Sequence, residues 1–424
     1  MPGHHRPTPG PAAPLRVAML WPGRAHDPGA LSGMPGGMAA ALQRRAVQLL
    51  HIETPAHAPP PVPRRLRAHA RAARHALRDT LEHLAPRATH ARMLDRAHAR
   101  AEHLGRELRR LRPDLLFGCC ISTSLAFLET DTPVVYFSDA TPRLINTTYP
   151  AYARRTRAYH DACDLFERQT LQRTTLAAYA SDAALRSAID DYALDPDRAV
   201  QIPMGANITP ERPVSAAHEP PTRRRLNLVF IGADPARKRL DLCVGAAELL
   251  GARGWRTTLR VIGPLTPRAA RSHAVEPLGR LSLADPGDRA RAQAAIAGAH
   301  FLLLPSIAEA FGIAPCEAAH FAVPAIVSDA GGLPSVVLDH ATGRVLPTTA
   351  GPDAYADAIE HLAADPDRYR RCSVAALARA HRTLNWDAWA ARMHPLFLRA
   401  AGRPLPSVAV LPGARAHQPA ERLG

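Results

Sequence analysis

Lysine is nearly missing from this chain. Its 424 residues include 53 Lys plus Arg, of which a single residue, Lys238, is lysine. A lone ammonium among guanidiniums suggests a position that needs a compact point charge with rotatable donors instead of a planar fork. Aromatic residues are scarce as well, at 5%. So few rings leave little to stack on bases, and no basic–aromatic interleaving speaks for a nucleic-acid reader. Six cysteines occur (Cys119, Cys120, Cys163, Cys243, Cys316 and Cys372), and no two have C-x-x-C spacing. They read as small core residues of a reduced, cytosolic protein without a cysteine-based metal site. No apolar run approaches the roughly 18–20 residues of a membrane-spanning helix. The opening MPGHHRPTPGPAAP has no apolar centre, so it reads as a disordered leader and not as a secretory signal.

What is present is an apolar fraction of 46%, enough for two domains of ordinary size, and a net charge of +15. The charge is unevenly placed. Between Arg64 and Arg112 fourteen arginines face five acidic residues. This basic segment has three readings. The plainest is a solvated, Arg-rich helical face. The second is docking on an anionic membrane surface. The third, nucleic acid, is disfavoured by the thin aromatic content. Histidines 51, 69, 75, 83, 90, 98 and 103 fall in or near this stretch and read as solvated surface.

Apolar runs separated by glycine turns and helical patterns set the organisation. LRVAMLW, a loop ending in SGMPGG, a helix and LLHIE give strand, glycine loop, helix and strand. Further strands read at DLLFGC, TPVVYFSD, TTLAAYAS and AVQIPMGAN, with a helix over roughly 151–173. HEPPTRRR breaks the pattern, and the same grammar restarts at LNLVFIG, TTLRVIG, FLLLPS and PAIVSD. Such dense alternation predicts parallel sheets covered by helices on both faces.

The strongest chemical signal is FLLLPSIAEAFGIAPCEAAHFAVPAIVSDAGGLP. A buried strand ends at Ser306, a loop presents Glu309, and Gly312 opens a helix carrying Glu317. Carboxylates suit sugar hydroxyls, because each accepts two or more donors. The adjoining helix N-terminus offers free N–H groups to a phosphate. Lys238, in ADPARKRLD, follows another strand, where its charge would suit a leaving diphosphate.

Here the sequence resembles the family 4 glycosyltransferases, in the pattern E-x-F-G-I-x-x-x-E-A, the following V-P-A-I-V-S and the turn G-G-x-P. The resemblance implies the GT-B fold: two Rossmann-like domains with parallel sheets facing across a cleft. It implies a nucleoside-diphosphate sugar as substrate, retention of anomeric configuration, no metal and no cofactor. Glu309 would contact the donor hexose and Glu317 the ribose. Lys238 would face the diphosphate, with Arg237 as its nearest basic companion. Phe311, Gly312, Ile313 and Gly33 of the glycine loop would complete the donor contacts. Two departures stand out. Arg239 occupies a position where the family commonly has glycine, and Ser138–Asp139 stands where many members have a histidine. Asp139 is therefore the acceptor-side candidate.

The expected division is a disordered leader at 1–13 and an acceptor-side domain at 14–217 containing the basic segment 64–112. A linker at 218–225 leads to a donor domain at 226–384. A helix at 385–402 returns to the first domain, as the resemblance implies, and 403–424 is read as a disordered tail. The expected partners are a sugar-nucleotide donor, a carbohydrate or lipid-linked acceptor and a peripheral anionic membrane, with no nucleic acid. The rival readings are an inactive scaffold of the same fold and a sugar-nucleotide epimerase.

Overall fold

The computed structural model describes residues 13–22, 33–45, 47–52, 80, 82–214, 217–222 and 224–405. The expected leader up to residue 12, the tail from 406 and the basic residues 64–79 lie outside these. So do His69 and His75.

Two six-stranded sheets form, and every described strand pairing is parallel. The first contains β1 (Leu15–Leu20), β2 (Val47–His51), β3 (Leu115–Cys119), β4 (Val134–Ser138), β5 (Leu176–Tyr179) and β6 (Ala199–Gln201), in the order β2-β1-β3-β4-β5-β6. The second contains β7 (Arg225–Ile231), β8 (Arg256–Ile262), β9 (Val275–Gly279), β10 (Phe301–Leu304), β11 (Ala325–Ser328) and β12 (Gly343–Leu346), in the order β12-β11-β10-β7-β8-β9. Central strands such as Phe301–Leu304 and Val134–Ser138 are buried throughout, which is why they read as continuous apolar runs. Strand order reverses between β1 and β3 in one sheet and between β7 and β10 in the other. In open α/β sheets the crevice at such a reversal is where ligands sit.

β9 and β12 escaped the sequence reading. Both are edges of the second sheet, and both are only partly buried; β9 also contains Pro277. Edge strands need little apolar content, so their pattern is weak. The single helix expected at 151–173 is broken into Pro150–Ala153 and Arg157–Arg173, the second capped by the Thr156 side chain.

The helix Trp386–Ala400 lies on the first sheet. Trp389, fully buried, meets Phe137 edge-on at 5.6 Å, and Phe397 lies 5.1 Å from Phe117. Two glycines permit this close approach. A Cβ on Gly37 would fall 2.3 Å from Trp386 Nε1, and one on Gly205 would fall 2.4 Å from Trp386 N. Gly37 of SGMPGG thus serves packing of the returning helix.

The expected linker is a docked segment. His218 donates its backbone N–H to Ser373 Oγ at 2.7 Å, Pro220 and Pro221 are buried, and Arg225 already belongs to β7. The start of the expected tail is also ordered: Arg403 donates to Ala13 O at 2.7 Å and to Asp114 Oδ2 at 2.8 Å. In the basic segment, the helix Pro86–Leu111 buries Ala97, Ala101, Leu104 and Leu108 and exposes Arg92, Arg96, Arg106, Arg109 and Arg110. Three of its neighbouring histidines are not merely solvated. His51 packs edge-on to Trp21, His90 Nδ1 lies 3.0 Å from Ala158 O, and His98 stacks on Phe127 at 3.9 Å. Among the described residues no helix is long and apolar enough to cross a membrane, and no group of His, Cys, Asp and Glu could hold a metal ion.

Candidate functional site

A cleft of about 700 Å³ opens between the two sheets. The loops after β7 and β10, which flank the strand-order reversal, supply its charged wall. The β10 loop carries Glu309, 8% exposed. Its Oε1 accepts the Ser306 Oγ hydrogen bond at 2.9 Å and forms ion pairs with Lys238 Nζ and Arg237 Nη1, each at 3.0 Å. Burial alone would raise the Glu309 carboxyl, but the two adjacent cations outweigh it and hold the group below the ordinary glutamate value. The β7 and β10 loops are tied together as well. Ile307 N donates to Arg237 O at 3.0 Å, and the Arg237 guanidinium donates to Ala308 O.

The Gly331–Gly332 turn after β11 holds this loop from behind. Gly331 adopts φ +52°, and a Cβ there would fall 1.9 Å from Glu309 O. Gly332 N donates to Glu309 O at 3.1 Å. The G-G-x-P pattern is therefore a backing for the loop that presents the acid.

Glu317 lies one helix turn into Ile313–His320, whose N-cap is Gly312 at φ +105°. Phe311, Gly312 and Ile313 line the cleft beside it. Glu317 is buried, and its Oε1 accepts the backbone N–H of Ile208, from the first half of the chain, at 3.2 Å. Burial raises its carboxyl to about 8. The consequence for stability has a definite sign. Between about pH 4.5 and 8 the folded chain keeps a proton at Glu317 that the unfolded chain releases, so this group lowers stability as pH rises through that window. Every tenfold change in proton affinity on folding corresponds to about 1.4 kcal/mol, so the total is a few kcal/mol. Glu317→Gln keeps an acceptor for Ile208 N and cannot ionise. Its melting temperature relative to the parent is expected to rise from pH 5 to pH 9 in scanning calorimetry. A constant difference across that range would refute the assignment.

Lys238 and Arg237 thus meet Glu309, while Glu317 faces the same cleft without touching that trio. Arg239 does not point there. It sits at φ +54° and donates to Thr348 O at 2.6 Å and Ala350 O at 3.2 Å. The left-handed backbone explains why glycine suits this position. Gly33 precedes Met34 at φ +85° and caps the helix Met34–Gln43; Met34, not Gly33, lines the cleft. Asp139 follows β4 at the opposite wall, half-buried, with Cys120 Sγ donating to its Oδ1 at 3.6 Å. Burial raises its carboxyl.

Sequence reasoning missed Tyr149, Met204 and Ile208 on the first-half wall, and Arg280, Leu281 and Ser282 beyond β9. None lies in a pattern that periodicity could reveal. Ser306 stands out in the sequence only as a strand end, although it sits three residues before Glu309.

Residues 215–379 match the family model described as Glycosyl transferases group 1. The chain is 28% identical over 278 residues to a D-inositol 3-phosphate glycosyltransferase of Corynebacterium glutamicum (strain R), spanning 60% of this chain and 66% of that protein, just under two thirds of its length. Among solved structures it resembles sucrose-phosphate synthase from Thermosynechococcus elongatus with a TM-score of 0.63 and 17% identity, over 91% of this chain and 98% of the other. It also resembles Anabaena HepE in complex with UDP, with a TM-score of 0.57 and 12% identity, over 91% and 100%. The fold is GT-B: two parallel α/β sheets facing across a cleft.

Proposed function

We propose that this chain is a retaining, metal-independent glycosyltransferase of family 4. It would transfer a hexose from a nucleoside-diphosphate sugar to an acceptor hydroxyl in polysaccharide or glycolipid assembly. The observation that carries the reading is the convergence of Lys238 and Arg237 on one oxygen of Glu309 at a strand-order reversal. Two cations against one carboxylate leave a positive balance where a diphosphate would lie. Glu309, already oriented by Ser306, can accept hexose hydroxyls, and Glu317 faces the ribose.

In the proposed reaction the bond between the anomeric carbon and the diphosphate oxygen breaks, and its electron pair leaves with the diphosphate. Lys238 and Arg237 stabilise the developing charge. The acceptor hydroxyl attacks from the same face, and its proton passes to the departing phosphate oxygen. Asp139 orients the acceptor. The similarity to a group 1 family model and the likeness to a UDP-bound protein support the donor class. The exposed arginines of Pro86–Leu111 fit a cytoplasmic enzyme working at an anionic membrane surface on a lipid-linked acceptor.

The test is a donor screen. The purified chain is titrated with UDP-, GDP- and ADP-sugars by calorimetry and then assayed for transfer, with the anomeric configuration read by NMR and EDTA as the metal control. Transfer with retention, insensitive to EDTA, is expected. Donor binding without transfer would favour the inactive-scaffold reading, and absence of binding to any donor would remove the proposal.

A further inference from the structure

Tyr149 belongs to the first half of the chain, between the short helices Pro142–Thr148 and Pro150–Ala153, yet its side chain reaches the charged wall of the second half. Its hydroxyl accepts the N–H of Ala310 at 2.7 Å. Its ring lies 5.1 Å from the Arg237 guanidinium carbon, a cation–π contact. Ala310 directly follows Glu309, and Arg237 is one of the two cations on that carboxylate. One phenol therefore grips both sides of the pair, the loop that carries the acid and the cation that meets it.

The arrangement has a physical logic. Arg237 has several acceptors within reach: Glu309 at 3.0 Å, Asp234 at 3.8 Å and Ala308 O. A guanidinium so shared needs a further constraint to keep one face toward the cleft, and a ring face supplies it. The Ala310 N–H sits where Gly332 presses on the loop from behind, since a Cβ on Gly332 would fall 2.3 Å from Ala310 O. The loop is thus clamped between Gly332 and Tyr149, and only one of these jaws belongs to the donor half.

Accordingly, we propose that Tyr149 is a positioning residue through which the acceptor half of the molecule sets the diphosphate cation Arg237 and the Glu309 loop, so that donor affinity depends on a contact made across the cleft. This rests on the donor reading proposed for the same cleft.

The experiment is calorimetric titration of the full chain with UDP, GDP, ADP and TDP, using the parent, Tyr149→Phe, Tyr149→Leu, Arg237→Met and the Tyr149→Leu/Arg237→Met double variant. Thermal unfolding of each confirms that it is folded. Tyr149→Leu loses ring and hydroxyl and is expected to weaken binding about tenfold. Tyr149→Phe keeps the ring and is expected to lose roughly threefold. In the Arg237→Met background, Tyr149→Leu is expected to add less than about threefold, because its main partner is gone. A Tyr149→Leu chain that binds as the parent does, or effects that add in full, would overturn the proposal while leaving the donor reading intact. If no nucleoside diphosphate binds the parent or any variant, the donor reading falls and this assignment falls with it.

Discussion

Lys238→Ala is expected to lower sugar transfer by about 10²–10³-fold, the range for removing one preorganised electrostatic group from a reacting site. The argument is local. Lys238 Nζ lies 3.0 Å from Glu309 Oε1, and its side chain is 13% exposed. Removing it would take away the cation proposed to face the leaving diphosphate, and it unbalances a carboxylate that is 8% exposed. Arg237 and the Ser306 hydroxyl remain, so Glu309 keeps one cation and one hydrogen bond, and the chain is expected to fold. Lys238→Arg is expected to rescue poorly, since a planar fork cannot replace three rotatable donors on a slim stem. The measurement is steady-state transfer with the donor identified by the screen. A Lys238→Ala enzyme within about tenfold of the parent would contradict the role, because even modest electrostatic catalysis exceeds that.

Gly331→Ala is expected to be nearly as damaging, although residue 331 carries no chemistry. The added methyl would sit 1.9 Å from Glu309 O, far inside contact distance, so the Glu309 loop must move. Alanine at φ +52° also costs about 1 kcal/mol. A displacement near 1 Å at a reacting group can lower turnover about 10²-fold. Gly351→Ala is the matched control. Gly351 has φ −91°, and nothing lies within 4 Å of the place its added methyl would take. Transfer assays and melting curves on both variants decide the matter. Equal activity in the two would show that the turn does not hold Glu309.

The Glu309 and Glu317 segment was legible because it is contiguous. Strand, loop, glycine and helix follow each other within seventeen residues, from Phe301 to Glu317, and local rules govern each step. Lys238 was legible for a different reason: in a chain that uses arginine everywhere else, one lysine is conspicuous. Arg239 shows the limit of that method. Its presence where glycine is usual was visible, but its left-handed backbone and its attachment to Thr348 and Ala350 were not.

Other parts needed the folded chain. β9 and β12 were invisible because edge strands are only half covered and carry little apolar signal. Tyr149 lies 88 positions from Arg237 and 161 from Ala310, and no spacing rule links them. For Glu317 the family resemblance implies a ribose contact. Its burial against Ile208 N, which raises its carboxyl to about 8, depends on the first half of the chain folding over it.

By itself, then, the sequence determined the alternation of buried strands and helices, the restart after residue 225, and the acids and lysine at strand ends. These depend on side-chain periodicity and on residue type, which are local. Only the tertiary structure decided which glycines serve packing and which back the Glu309 loop. It also decided that Arg237, and not Arg239, joins Lys238, and that a tyrosine from the far half meets Arg237 and the Glu309 loop. Those outcomes follow from contacts between residues distant in the chain, whose geometry is fixed only when both sheets and the returning Trp386–Ala400 helix are in place.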